Sequence, residues 1–183
     1  DLKEIHWDHG HYDIAELSKI YRQNDSRTSL IFNALQKYLP NLNTVKALCF
    51  CVDIEHAKYM AAKFTLAGLK ADLLTSENEM ERNRLCKALR DGKINYLFVV
   101  DMFNEGVDIP DVDTILFLRP TESLTIFLQQ LGRGLRKAKG KQYVNILDFV
   151  GQCRDEFDYT DRFRAIIGRT SMSIKEELER GFP

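Results

Sequence analysis

The sequence predicts an α/β fold in which a parallel sheet of about five or more strands is flanked by helices. Short apolar runs alternate along the chain with segments of helical spacing, an order typical of a parallel sheet covered on both faces. The runs are too apolar and too short for surface helices. Buried parallel strands explain them best. They occupy residues 45–52, 69–75, 96–100, 113–118 and 142–148.

Two helices are predicted before the first strand. Between about residues 12 and 21, apolar side chains recur at helical spacing. Ser26 is expected to cap a second, amphipathic helix that continues to Leu39, where Pro40 ends it. Because neither helix carries a chemical pattern, we interpret residues 1–40 as a helical connector or N-terminal extension.

Two more helices are predicted between the strands. Asp53 can cap a helix that runs from Ile54 to about Gly68. The next helix is expected from about Asn78 to Arg90, where Asp-Gly closes it. Residues 41–150 would then form the sheet domain, and residues 151–183, which mix apolar positions with alternating charges, a helical C-terminal extension.

Length and composition limit the class of protein. A chain of 183 residues with 44% hydrophobic content can bury one good core. The formal net charge is -1, so a basic surface for nucleic acid would have to be local. The sequence has no apolar run near the roughly 18 residues of a membrane span and no signal-like start, so we expect a cytoplasmic location.

The cysteines and histidines predict neither disulfides nor a metal site. The four cysteines lack Cys-x-x-Cys spacing, and we expect Cys49 and Cys51 to be small buried hydrophobes on opposite faces of the first strand. His6, His9 and His11 stand near two aspartates. Their spacing matches no zinc site that we can justify, and solvated or packing histidines are the favoured interpretation.

The clearest chemical pattern is the stretch from Gln129 to Arg136, Gln-Gln-Leu-Gly-Arg-Gly-Leu-Arg. Arg133 and Arg136 are three residues apart, so on a helix they project from one face. Two planar, permanently charged guanidinium groups suit a polyphosphate, and Gly132 would let a backbone or a ligand come close to that face. A solvated basic helix explains the same residues, and this stretch alone does not decide between the two.

A second stretch upstream supplies the context. Residues 105–110, Glu-Gly-Val-Asp-Ile-Pro, follow the apolar run at 96–100. Together the two stretches resemble motifs V and VI of superfamily 2 helicases and translocases, in that family's order, over roughly residues 46–148. The resemblance implies the second RecA-like domain of such a motor. It is closer to restriction-enzyme-like and nucleotide-excision-repair-like DNA translocases than to DEAD-box RNA helicases.

This resemblance implies roles at the nucleotide. Arg136 would be the arginine finger and Arg133 its phosphate-side partner, while Gln129 would hold both or sense the nucleotide. Gly106 and Asp108 match the motif V residues that approach the nucleotide, where the carboxylate would accept hydrogen bonds from the ribose hydroxyls. A turn residue is the alternative explanation of Asp108.

Other positions match family residues that contact nucleic acid. Residues 50–57 match motif IV, where a strand end meets nucleic acid, although His56 is better explained as a helix-start residue. Thr75 and Ser76 follow the second strand, where relatives touch the nucleic-acid backbone. Arg82 stands where the family often has an arginine, and a solvated helix arginine explains it equally well.

Motif V also contains a departure from the family. Many relatives have threonine at the position of Val100, and its hydroxyl contacts a backbone phosphate. Valine has no hydroxyl for that contact, so Asp101 or Asn104 would substitute for it.

The chain lacks other parts that nucleotide hydrolysis needs. It contains neither a Gly-x-x-x-x-Gly-Lys-Ser/Thr loop nor an acidic tetrad such as Asp-Glu-x-His. We therefore expect ATP with Mg²⁺ to be bound mainly by an N-terminal RecA-like domain of a longer chain, and this part alone to be nearly inert. That domain and nucleic acid, DNA rather than RNA, are the expected partners.

Two alternatives explain parts of the sequence. A degenerate RecA-like module would dock nucleic acid or a protein without turnover, but the intact Gln129, Arg133 and Arg136 argue against degeneration. A stand-alone flavodoxin-like protein would carry a phosphate loop after the first strand, where residues 52–55 contain no glycine.

Overall fold

A computed structural model describes residues 2, 5–8, 11–100, 111–120 and 143–149. Within this part of the chain, a two-stranded ribbon and two helices precede a sheet whose strands alternate with helices. In chain order the elements are β1 (Trp7–Asp8), β2 (His11–Tyr12), α1 (Ile14–Arg22), α2 (Asp25–Tyr38), β3 (Ala47–Phe50), α3 (Ile54–Leu66), β4 (Ala71–Leu74), a 3-10 helix (Ser76–Glu81), α4 (Arg82–Arg90), β5 (Tyr96–Val99), β6 (Thr114–Phe117) and β7 (Asn145–Asp148).

The predicted parallel sheet is confirmed. Its strand order is β4-β5-β3-β6-β7, and all four neighbouring pairs are parallel. The central strand β3 pairs with β5 on one side and with β6 on the other, so Phe50 stands opposite both Val99 and Phe117. Since every strand runs in the same direction, all five carboxyl ends lie along one edge.

The two faces of the sheet bury separate hydrophobic clusters. One face packs against α2 and α3, and its cluster includes Cys49, Cys51 and Phe64. The other packs against α4 and includes Phe50 and Leu85. Our expectation that the two cysteines point to opposite faces is therefore wrong, because side chains two positions apart in a strand share a face.

Aromatic rings fill the centre of the first cluster. Phe64 of α3 is fully buried, with its ring centroid 4.9 Å from those of both Tyr96 and Phe98. The ring centroid of Phe32, in α2, lies 4.8 Å from that of Phe64. Helix α2, in the segment that we interpreted as a connector, thus packs against α3 and the sheet.

The helix caps agree only partly with the sequence analysis. Asp53 caps α3 as predicted, since its side chain accepts the N–H of His56. The predicted cap at Ser26 is wrong: Asn24 caps α2 and accepts the N–H of Arg27 at 2.9 Å. The side-chain oxygen of asparagine accepts the free N–H groups at a helix start as well as the hydroxyl of serine does. Because Asn24 precedes Ser26, the helix begins two residues earlier than predicted.

The helix predicted from Asn78 to Arg90 is two helices. Asn78 has φ -131° and ψ 31°, which interrupts helical geometry inside the 3-10 segment. Its side chain accepts the N–H of Thr75 at 2.8 Å and donates to the carbonyl of Leu73 at 2.9 Å. These local hydrogen bonds compete with helix formation, and the regular helix α4 therefore begins only at Arg82.

The ribbon β1–β2 was not predicted, because strands of two residues carry no alternation. It pairs Trp7 with Tyr12, whose ring centroids are 4.5 Å apart. Together with α1 it forms a third cluster that includes Leu17, Tyr21 and Val52, the last just beyond β3. The N-terminal elements therefore rest on the carboxyl end of the central strand. No helix of the described residues has both the length and the apolarity to cross a membrane.

Candidate functional site

The carboxyl edge of the sheet is the candidate site, because ligands of parallel α/β sheets bind beyond the carboxyl ends of the strands. One residue directly follows each of the five strand ends, and the segments after β3, β5 and β6 are those in which the sequence analysis placed motifs IV, V and VI. In the order of the sheet these five residues are Thr75, Val100, Cys51, Leu118 and Phe149.

The segments that contain motifs V and VI leave strands on either side of β3. Val99 ends β5 and Phe117 ends β6, and both stand opposite Phe50. Two strand spacings separate the ends, so the segments start about 10 Å apart. Eight predicted site residues in or near these motifs lie outside the described residues: Asp101, Asn104, Gly106, Asp108, Gln129, Gly132, Arg133 and Arg136.

Thr75 and Ser76 are at this edge, at the end of β4. Thr75 is 1% exposed, and its hydroxyl accepts the N–H of Glu77 at 3.3 Å. Its own N–H donates to Asn78, as part of a capping box. Ser76 is exposed. Thr75 therefore holds the shape of the turn that presents Ser76.

Arg82 begins α4 close to this turn. Its Nη2 lies 2.6 Å from Glu79 Oε1, and its side chain is 24% exposed. Arg84 makes a similar contact with Glu81 at 2.6 Å. The acidic residues of the 3-10 segment are thus matched by nearby cations, and a phosphate that binds Arg82 competes with Glu79.

His56 lies inside the fold. It is 1% exposed, and its Nδ1 accepts the N–H of Val52 at 3.2 Å. Burial lowers its pKa to about 3, and the positive charge of Arg27 acts in the same direction. The imidazole is neutral at physiological pH, and our interpretation of His56 as a helix-start residue is confirmed.

Asp53 fixes two elements at the end of β3. Its Oδ1 accepts both the hydroxyl of Ser18 and the N–H of His56, each at 2.7 Å. The N-terminus of α3 is thus occupied by a carboxylate of the chain itself. The free N–H groups in the first turn of α3 are therefore partly satisfied by Asp53.

Arg27 is a residue of this edge that the sequence analysis missed. Its Nη2 donates to the carbonyl oxygens of Leu118, at 3.2 Å, and Phe149, at 2.7 Å. The guanidinium carbon lies 3.8 Å from the ring centroid of Tyr21. Arg27 therefore ties α1 and α2 to the ends of β6 and β7. An arginine in the first turn of a helix has no sequence signal for such a role.

The described residues hold no group of three or more His, Cys, Asp or Glu side chains that could bind a metal ion. His9, one of the three histidines of the N-terminal cluster, is outside the described residues. Backbone pairing places His11 opposite Asp8 in the ribbon.

Comparison with known proteins gives the family context of this edge. The family model described as "Helicase conserved C-terminal domain" matches residues 30–138, more than half of the chain. The match begins inside α2 and includes β3 to β6 and both predicted motifs.

Two relatives illustrate the range of similar proteins. The putative ATP-dependent helicase IRC3 of Saccharomyces cerevisiae is 29% identical over 152 residues, which cover 82% of this chain and 22% of that protein. The UvrABC system protein B of Helicobacter hepaticus is 28% identical over 140 residues, 68% of this chain and 21% of that protein. The chain thus spans about a fifth of the length of these relatives.

A solved structure has the same fold. The Escherichia coli DEAD-box protein SrmB superposes with a TM-score of 0.57 at 23% identity, over 68% of this chain and 69% of the other. This likeness establishes the RecA-like arrangement of the sheet. The similar proteins thus include both a UvrABC system protein and a DEAD-box protein.

Proposed function

Because this chain belongs to the family of helicase conserved C-terminal domains, we propose that it is the second motor domain of an ATP-dependent helicase or translocase that acts on nucleic acid. DNA is the proposed substrate, on the likeness of the motifs to restriction-like and excision-repair-like translocases. One observation carries the proposal: the segments with motifs V and VI leave strands that flank β3 at the carboxyl edge.

The chemistry of the motor is divided between two domains. ATP with Mg²⁺ is bound mainly by an N-terminal RecA-like domain, whose phosphate loop this chain lacks. Arg136 is the proposed arginine finger, and Arg133 is its partner on the phosphate side. Gln129 holds both arginines or senses the nucleotide. An arginine finger of this kind raises turnover by about 10³ to 10⁵. Gly106 and Asp108 line the nucleotide from motif V, and Gly132 leaves room for it.

Nucleic acid binds beside this cleft along the same edge. The proposed contacts are Ser76, Arg82, Asp101 and Asn104, with Thr75 shaping the turn. Contacts of this kind go mainly to phosphates and sugars. We therefore expect little sequence preference and a strong dependence of affinity on salt.

Motif V couples the two ligands. The segment after β5 begins between β4, which leads to the nucleic-acid residues, and β3, at the centre of the edge. A change in the nucleotide can thus shift how the strand is held, which is a coupling free energy between two sites. The expected result is ATPase activity that nucleic acid stimulates.

The test uses the longer protein that contains this chain and a Walker-type domain. We expect nucleic-acid-stimulated ATPase activity that Arg136→Ala abolishes, while binding of a fluorescent ATP analogue stays near the wild-type value. Arg84→Ala is the matched control, because Arg84 is an exposed arginine that pairs with Glu81 and is not among the proposed nucleotide contacts. Wild-type turnover in Arg136→Ala would remove the finger assignment.

Two comparisons separate the remaining candidates. Stimulation by single-stranded DNA that exceeds stimulation by single-stranded RNA supports the proposed substrate, and the reverse order contradicts it. Binding of nucleic acid without any turnover in the wild-type protein would favour the degenerate docking module instead.

A further inference from the structure

The last turn of α1 is anchored over the carboxyl end of β3. The hydroxyl of Ser18 donates to Asp53 at 2.7 Å, and the rings of Tyr21 and His56 are 5.4 Å apart. Ser18 and Tyr21 are 1% and 3% exposed, so these contacts are part of the folded core. Arg22, the next residue, is consequently held at the same edge as the proposed nucleic-acid contacts.

Arg22 lacks a protein partner in the described part of the chain. Its side chain is partly buried. Its Nε is inaccessible to solvent and has no hydrogen-bond acceptor. A buried donor without an acceptor is unfavourable, and such groups are rare in native structures. The arginines of α4 differ, since each lies near a carboxylate: the pairs are Arg82 with Glu79, Arg84 with Glu81 and Arg90 with Asp111.

Arg22 and Arg27 are both close enough to His56 for their charges to act on it. Burial is the main cause of the low pKa of His56, and the charges of Arg27 and Arg22 both lower it further. The nearby carboxylate, Asp53, is already engaged with Ser18 and the N-terminus of α3. Lys19, exposed and three residues before Arg22, projects from the same side of the helix. Lys19 and Arg22 thus place two cations on one side of α1, in a chain whose net charge is -1.

We propose that Arg22 binds a backbone phosphate of the nucleic-acid strand, so that α1 extends the strand-contacting surface beyond β3. The planar guanidinium group matches two phosphate oxygens, and the side chain of Arg22 is only partly buried. The proposal deepens the proposed function and rests on it. Residue 22 precedes residue 30, where the family match begins, so the family model assigns no role to it.

The experiment measures binding of a fluorescent 20-nucleotide single strand to the longer protein by anisotropy at several salt concentrations. We expect Arg22→Gln to weaken binding about tenfold and to reduce the slope of log K against log salt by about 0.7, the value for one phosphate contact on a single strand. Arg22→Lys keeps the charge and should retain most of the slope. The matched control is Arg90→Gln, which removes one arginine at the opposite edge of the sheet.

The same variants are tested for ATP binding, because a nucleotide phosphate has the same chemistry as a backbone phosphate. Arg22→Gln that weakens binding of the ATP analogue and leaves the oligonucleotide affinity unchanged would assign Arg22 to the nucleotide and overturn the proposal. Equal affinities and slopes for Arg22→Gln and Arg90→Gln would also overturn it. Either result leaves the proposed function intact if the wild-type protein still shows nucleic-acid-stimulated turnover, whereas loss of that turnover in the wild type concerns the proposed function itself.

Discussion

Ser18 and Asp53, which are 35 positions apart in the sequence, form a 2.7 Å hydrogen bond that joins α1 to the first turn of α3. The same oxygen of Asp53 accepts the N–H of His56. One carboxylate therefore serves as a helix cap and as the polar link between the N-terminal elements and the sheet.

The first prediction concerns this carboxylate. Asp53→Ala removes the cap of α3 and leaves the buried hydroxyl of Ser18 without its acceptor, so we expect the free energy of unfolding to fall by about 2 to 4 kcal/mol. Ser18→Ala removes only one hydrogen bond and should cost about 1 kcal/mol. Urea unfolding of the two variants checks the order, and equal losses would contradict the double role of Asp53.

The second prediction concerns the aromatic centre of the first cluster. Phe64 is fully buried between Tyr96 and Phe98, so Phe64→Ala should lower the free energy of unfolding by about 3 to 5 kcal/mol. The control in the same helix is Leu66→Ala, which changes a side chain that is 84% exposed. We expect a change within about 0.5 kcal/mol there. Similar losses at both positions would show that the packing of α3 is not as described.

The sequence was sufficient to predict the sheet, because the pattern of its strands is local. Leu97 and Phe98, for example, belong to an apolar run bounded by polar residues, and both are fully buried. The cap at Asp53 was equally predictable, since an aspartate directly after a strand and before a helical pattern has few other uses.

The contacts of the N-terminal elements were not predictable in the same way. Arg27 reaches the carbonyl of Phe149, 122 positions away, and only the folded arrangement of α2 and β7 brings the two together. Asn78 looked like the start of a helix, yet its amide hydrogen-bonds to Leu73 and Thr75 and delays α4. Both cases depend on side chain to backbone contacts that leave no periodic pattern in the sequence.

The third prediction is a pH dependence caused by His56. Its pKa is about 3 in the folded chain against 6.5 as the ordinary value, so the unfolded chain binds the proton more readily between these values. Stability is therefore retained above about pH 6.5 and falls as pH decreases through this window, by up to about 1.4 kcal/mol per pH unit.

The matched variant for this prediction is His56→Asn, whose amide oxygen can still accept the N–H of Val52 but does not titrate. Denaturant unfolding between pH 7 and pH 4 should give a steeper loss for the wild type than for the variant. Parallel pH profiles would assign the acid sensitivity to other groups.

The last prediction uses the ion pair that occupies Arg82. Glu79→Gln weakens the 2.6 Å contact with Arg82, so a bound phosphate meets less competition for the guanidinium. Glu81→Gln is a close control, because it removes one acidic charge from the same segment and releases Arg84 from an ion pair of the same length. If Arg82 contacts the strand, oligonucleotide affinity should rise more in Glu79→Gln than in Glu81→Gln, and the difference should vanish when Arg82→Gln is added to both. Equal increases in the two single variants would indicate a general change of surface charge and would remove Arg82 from the proposed contacts.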